Sequence, residues 1–381
     1  MWFIVKTMES TFDRYLRAID NHLCCSQANR DFYIPMYKNF KVWFTQEMRR
    51  VDRVFDKLCT GVTSFGTYSE WKGDQMQPNE FVMLYILGFP SPVTVSPDKL
   101  RPGYVQLNML SVLEKLTDMD EYEEVYFKLN NFVDPSNANL RRTELQAWIS
   151  SVIRKALKAA KNVDYDITYE SQYNTETFHF LRVRQRAHPN STIKVDIAPV
   201  IPFGEVSWMH KHKFANFQDV LYHTFYAVPI STTKPPRKTR ACTFLIINPI
   251  AENQLLWSNP TLCCVFRLLI SMCHGCKLSQ IKNYFLINIL LWELKMQKET
   301  LWDNSIEDIF KHMLSQLWTY FIDRFLPDFW TKDCNVLNIL SQDEITLYEK
   351  MLRNICDLFL TYSQRQQLTL DRMRNIFLKS N

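Results

Sequence analysis

Apolar residues between positions 36 and 60 recur at three- and four-residue steps. Tyr37, Phe40, Phe44, Met48, Val51, Phe55 and Leu58 form one stripe, which predicts a single long helix over 36–60, stopped by Gly61. Arg50, Arg53 and Lys57 form a second row beside that stripe. FVMLYILGF, starting at Phe81, is apolar on both alternating faces and predicts a central strand covered on both sides. The Pro-rich PSPVTVSPDKLRPG reads as a loop, and the acidic TDMDEYEEVY follows it. NLRRTELQAWISSVIRKALKAAK has helical periodicity, with Leu145, Trp148, Val152, Leu157 and Ala160 expected inward. FHFLRVRQR alternates apolar residues with Arg182, Arg184 and Arg186, as a half-exposed strand does, and IKVDIAPVIP is expected to pair with it. FYAVPI and ACTFLIINP read as two further strands around the basic loop KPPRKTR.

From about Glu252 the texture turns helical through four or five patterns, among them LCCVFRLLISM and SIEDIFKHMLSQLWTYFIDRF. A mixed-sheet lobe followed by an all-helical lobe gives an α+β class. The expected division is 1–250 for the core lobe with its spine helix 36–60, and 251–381 for the C-terminal helical lobe. A length of 381 residues fits two lobes better than one core.

Composition narrows the classes. The chain is 46% hydrophobic and 22% charged, as globular proteins are, and its 26 Phe and 10 Trp supply large buried aromatics. Only 7 glycines argue against a Gly-rich phosphate loop as the main design. The net charge of +5 is too mild to point to nucleic acid by itself, so only local clustering carries that reading. The 10 cysteines lack the regular spacing of a secreted scaffold and read as reduced thiols. No apolar run approaches the ~18 residues of a membrane span. The short apolar run before Lys6 is too short for the apolar region of a signal peptide. These features place the chain in the cytoplasm or the nucleus, with no membrane partner.

The candidate chemistry rests on two carboxylates. Glu80 lies in PNEFVMLYIL and Asp196 in IKVDIAPVI. Paired metal ions need several carboxylates converging from neighbouring strands. Residues i and i+2 of a strand share a face, yet the position two beyond Glu80 is Val82. Taking Glu80 as the second ligand puts Pro78 in the place of the first, and proline has no ligand atom on its side chain. Asp74 in the preceding loop is the nearest other acid, and a loop acid is a poor substitute for one held on a strand.

GTYSEW, then PNEFVMLYI, then KVDIAPVI, with NYFLINILLWELK and LPDFWTKDCNVL later, occur in an order that resembles the male-abnormal-twenty-one (Mab) and cyclic GMP-AMP synthase nucleotidyltransferase family. The resemblance covers roughly residues 36 to 345. It implies a bilobal nucleotidyltransferase fold with its active site between the lobes. It also implies that Gly66 and Thr67 hold a nucleoside triphosphate and that Glu80 and Asp196 bind Mg²⁺ or Mn²⁺. Tyr284 would stack on a base. The family's second carboxylate falls at Val82, and its helix lysine falls at Ile287. FLIIN, residues 244 to 248, replaces a strand that offers polar contacts to the base. The zinc-binding insertion of the synthase has no counterpart, so no zinc is expected.

These departures point to a pseudoenzyme that binds a nucleotide, a nucleic acid or a protein partner. One alternative is an active cyclic-dinucleotide synthase, an innate immune receptor triggered by double-stranded RNA or DNA. The other is a developmental interaction protein. Arg50, Arg53 and Lys57, joined by Arg154, Lys155 and Lys158, are the candidate strip for phosphate backbones. Glu47, Asp52 and Asp56 dilute it, and a solvated helix face is the plainer reading. Cys273, His274 and Cys276 have metal-like spacing, but Cys263 and Cys264 sit in an apolar run where cysteine packs as a small hydrophobe. His210 and His212 read as part of a polar loop.

Overall fold

The computed structural model describes residues 10–24, 27–63, 79–160, 164–170, 178–188, 190–209, 224–230, 241–257, 259–296, 301–365 and 369–378. An N-terminal helix α1 (Thr11–Leu23) precedes α2 (Gln27–Val51) and α3 (Arg53–Leu58). The strands are β1 (Cys59–Thr63), β2 (Glu80–Leu87), β3 (Thr94–Pro97), β4 (Tyr104–Asn108), β5 (Tyr165–Glu170), β6 (His179–Gln185), β7 (Thr192–Gly204), β8 (Thr224–Val228) and β9 (Thr243–Ile247). Helices α4 (Leu110–Thr117), α5 (Glu123–Asn130) and α6 (Arg142–Ala159) lie between β4 and β5 in sequence. The C-terminal part holds α7 (Pro249–Trp257), α8 (Pro260–Gly275), α9 (Asn283–Met296), α10 (Ile306–Asp323), α11 (Gln342–Arg365) and α12 (Leu370–Phe377). These elements form two compact units. One runs from α2 to β9, and the other joins α1 to α8–α12; the chain divides within α7.

Among the described residues the sheet has nine strands in the order β1-β2-β7-β8-β9-β4-β3, with β6 on β7 and β5 on β6. Among the described strands β2 and β7 run parallel, and every other neighbouring pair is antiparallel. The long β7 changes partner along its length. It pairs with β6 over Thr192–Ile197 and with β8 over Ile201–Gly204, while β2 runs along its other edge.

β2 is covered on both faces, as its continuous apolar run predicts. Phe81 stacks on Tyr37 of α2 with centroids 4.1 Å apart, and Tyr85 meets Phe55 of α3 edge-on. On the other face Val82 and Leu84 pack with Ala198 and Val200 of β7, Tyr226 and Val228 of β8, and Ile247 of β9.

The spine is longer and more broken than the predicted 36–60 helix. It starts at Gln27, tolerates Pro35, and stops at Val51. Asp52 leaves the helical region (φ −145, ψ 108) and accepts a hydrogen bond from the Phe55 amide at 2.9 Å, which caps α3 as a new helix. Gly61 is not the stop: Cys59 already begins β1, and Gly61 pairs with Ile86 next to a bulge. α6 buries Leu145, Trp148, Ile149, Val152, Ile153 and Ala156, so Leu157 and Ala160 lie at the margin of its inner face. The Pro-rich segment is not a loop but a hairpin, β3–β4, turned through Gly103 at φ 86 and a buried Asp98–Arg101 ion pair of 2.5 Å. The acidic segment forms part of α5.

The helical unit includes the N-terminal helix, which the sequence places with the core. Phe12 packs on Phe310 and Phe359, and Asp20 holds the buried Arg267 guanidinium through two contacts of 2.7 Å. A paired, bidentate Arg267 removes the cost of an isolated buried charge and fixes α1 on α8. Gly275 lies so close to α12 that a Cβ there would sit 1.8 Å from the Ile376 carbonyl oxygen. Among the described residues no single helix is long and apolar enough to cross a membrane.

Candidate functional site

Strand register brings the site together. On the parallel pair, Glu80 lies beside Lys194 and Val82 beside Asp196. On the other edge of β7, Arg182 lies opposite Lys194 and Phe180 opposite Asp196; Glu170 of β5 lies opposite Phe180. In-register neighbours share a face of the sheet. Glu80, Glu170, Phe180, Arg182, Lys194 and Asp196 therefore line one pocket of about 260 Å³, to which Phe81 also contributes.

The charges in this pocket are mostly matched. Lys194 Nζ donates to Glu80 Oε1 at 2.7 Å, and Arg182 donates to Glu170 Oε1 from Nη2 at 2.8 Å. Asp196 has no such match at its own level of the sheet, because its neighbour on β2 is the isopropyl group of Val82. Burial pushes its carboxyl up to about 6, the Glu80 charge adds to the rise, and Lys194 opposes it.

Val82 is 6% exposed. It belongs to the apolar cluster below the pocket, against which Leu245 of β9 also packs. Two departures that look separate in the sequence, Val82 and FLIIN, are thus in one packed cluster. Ile287 is buried within α9 of the other unit.

Tyr284, on α9, is half-buried, and its hydroxyl donates to Asp328 Oδ2 at 2.7 Å. Burial raises the Asp328 carboxyl above its usual range, while hydrogen bonds from Tyr284, Thr331 and the Trp330 amide act the other way. The tyrosine ring is therefore held by its polar end. Gly66, Thr67, Asp74, His210 and His212 lie outside the described residues. Cys263, Cys264 and Cys273 are buried along α8, where burial raises the Cys264 and Cys273 thiols. Among the described residues no three His, Cys, Asp or Glu side chains are placed to share a metal ion.

Among the described residues, the donors present do not fit a two-metal centre. Of the expected carboxylates, Glu80 is engaged by an ammonium, the second position is apolar, and Asp196 is half-buried and raised. The expected Mg²⁺ or Mn²⁺ set of Glu80 and Asp196 lacks the bridging oxygens that hold two ions a few ångströms apart.

The two basic rows meet at Asp52. Lys155 of α6 reaches Asp52 Oδ2 at 3.4 Å, and the same oxygen accepts from Trp148 Nε1 at 3.4 Å. Arg53 is exposed at the start of α3, Lys57 lies over the Tyr122 ring at 4.8 Å, and Arg154 lies over Tyr169 at 5.0 Å. Arg50 is paired with Glu47 at 2.6 Å. Acids are interleaved with these basic residues: Asp52 takes Lys155 and Glu47 takes Arg50.

Behind the pocket strands runs a buried polar chain that periodicity does not reveal. His179 Nδ1 and the Tyr169 hydroxyl are 2.8 Å apart, and His179 Nε2 is 2.8 Å from Gln146 Oε1. Gln146 in turn donates to the Pro229 carbonyl at 3.0 Å. The sequence reading also missed Lys194, Arg182 and Glu170 as pocket residues. Lys194 carried a usable signal, since it lies two residues before Asp196 and so shares its face.

Comparison with known proteins agrees with this topology. The Mab-21 protein nucleotidyltransferase domain matches residues 75–245, and the Mab-21 protein HhH/H2TH-like domain matches residues 265–354, together more than half of the chain. A cyclic GMP-AMP synthase-like protein of Drosophila melanogaster is 22% identical over 355 residues, 91% of this chain and 94% of its own length. Cyclic GMP-AMP synthase-like receptor 1 of the same species is 26% identical over 300 residues, 76% of each chain. A cyclic GMP-AMP synthase-like receptor of Lucilia cuprina is 20% identical over 384 residues, 97% of each chain.

Proposed function

This chain belongs to the Mab-21 family, and from that premise we propose that it is a nucleotide-binding pseudoenzyme: it takes a nucleoside triphosphate into the β2–β7–β6 pocket and does not join it to a second nucleotide. The observation that carries this reading is the register pair Val82–Asp196. Nucleotidyl transfer needs metal ions to draw charge from the attacking and leaving oxygens, and carboxylates to fix those ions in line. An isopropyl group at the middle position supplies no oxygen. Its packing with β7, β8 and β9 leaves the position part of the core.

What remains is a binding pocket. Lys194 and Arg182 offer donors to phosphate oxygens, and Phe180, opposite Asp196, also lines the pocket. Lys155, held at Asp52 beside the exposed Arg53, favours a double-stranded nucleic acid as a second ligand, because phosphate contacts require positive charge and no base reading. The relatives named as receptors are in keeping with ligand sensing.

The test pairs binding with turnover. The purified chain is expected to retain ATP in equilibrium dialysis and to give no dinucleotide from labelled ATP and GTP. Turnover that depends on Glu80 would overturn the reading.

A further inference from the structure

The pocket contains its own cation. Lys194 is the register neighbour of Glu80 on a parallel strand, so its ammonium comes to the carboxylate that a metal ion would use. The Nζ–Oε1 distance is 2.7 Å, with Lys194 37% and Glu80 22% exposed, so the pair sits at the pocket surface within reach of a ligand. The same ammonium charge acts on Asp196, two residues along the strand. A divalent ion entering here meets a fixed positive charge and must displace an existing hydrogen bond.

We propose that Lys194 stands in the place of the metal ion, so that the pocket binds the polyphosphate of a nucleotide without a divalent cation. This rests on reading the pocket as a nucleotide site, and it goes beyond that reading by naming what neutralises the phosphates. An ammonium has three donors. One is held by Glu80, which leaves donors for phosphate oxygens. Arg182, anchored by Glu170 on the far side of β7, gives a second cation across the pocket. Val82 then has a consistent role: with a lysine as the cation, no second carboxylate is needed, and an apolar residue packs better against Leu84 and Ala198.

The experiment uses the full chain and three probes: ATP, inorganic tripolyphosphate and Mn²⁺. ATP affinity is measured by calorimetry with Mg²⁺ and with EDTA, for the native chain, Lys194→Met and Lys194→Arg. The expected result is equal ATP affinity in the two buffers to within about twofold, a loss of about tenfold in Lys194→Met, and retention in Lys194→Arg. Tripolyphosphate competing with ATP assigns the ligand to phosphate; failure to compete would overturn the role given to Lys194. Mn²⁺ paramagnetic resonance is expected to show no ion bound by the nucleotide-free native chain. Melting curves establish that each variant is folded. ATP binding that disappears in EDTA, or stoichiometric Mn²⁺ on the native chain, overturns this inference alone. Absence of ATP binding in both buffers overturns the nucleotide reading and this inference with it.

Discussion

Val82 and Asp196 are register partners on the parallel strands β2 and β7, which sets a buried isopropyl group beside a half-buried carboxyl. Strands lie about 4.8 Å apart, so an acid at position 82 would face Asp196 directly. Without a metal, Val82→Asp is expected to lower the stability of the sheet unit by roughly 2–4 kcal/mol, through lost packing and a charge beside a like charge. Thermal melting checks this. Mn²⁺ is expected to raise the melting temperature of Val82→Asp more than that of the native chain. An unchanged melting temperature would contradict the packing assigned to Val82.

Asp196 carries a cost at neutral pH. Its carboxyl is pushed up to about 6 by burial and by Glu80, above the ordinary aspartate value. A raised carboxyl means that the folded state disfavours the charge. The penalty is full above pH 6 and is lost as pH falls from 6 toward 4. It amounts to roughly 3 kcal/mol at most. Asp196→Asn is therefore expected to raise stability at pH 7.5 by about 1–3 kcal/mol and to change it little at pH 4. Urea unfolding at the two pH values reads this, and a destabilised Asn variant at pH 7.5 would show that Asp196 has an unrecognised ionic partner.

His179 acts with the opposite sign. Burial and the Arg154 charge lower its pKa to about 4, so the folded state keeps it neutral between Tyr169 and Gln146. The unfolded chain takes up that proton near pH 6.5. Stability is full above 6.5 and falls as pH drops from 6.5 to 4, by roughly 3 kcal/mol in total. His179→Gln is expected to flatten this part of the pH profile, as followed by urea unfolding. A profile with the native slope would show that His179 is not its source.

Arg53 and Lys155 belong to the strip that meets at Asp52. Replacing both by Gln is expected to reduce the salt slope of double-stranded RNA binding by about 2. It is expected to leave the melting temperature nearly unchanged, since Lys155 is exposed and Asp52 keeps the Phe55 amide and the Trp148 indole as donors. Fluorescence anisotropy over a salt series measures the slope. An unchanged slope would place nucleic acid elsewhere on the molecule.

The sequence conveyed the parts of this fold that periodicity and pairing control. The run from Phe81 to Leu87 declared a strand buried on both faces, because helices cover one face and the Val82 cluster covers the other. Glu80, Asp196 and the gap at Val82 were legible because strand alternation assigns faces. The break at Asp52 was not, since the apolar stripe continues through it and only the side-chain cap ends one helix and starts the next. The β3–β4 hairpin was hidden by prolines that signal loops. The docking of α1 was hidden because Asp20 and Arg267 are 247 residues apart. Lys194 escaped attention for a different reason. Its meaning depends on parallel register with Glu80, which no single-strand pattern contains.

A pocket that binds a nucleotide without transferring it yields no product. The most direct measurement incubates the purified chain with labelled ATP and GTP, Mg²⁺ or Mn²⁺, and double-stranded RNA or DNA, and separates the products by chromatography. No linear or cyclic dinucleotide above the protein-free control is expected, with the native chain and Glu80→Ala indistinguishable. A dinucleotide formed by the native chain and abolished in Glu80→Ala would contradict it.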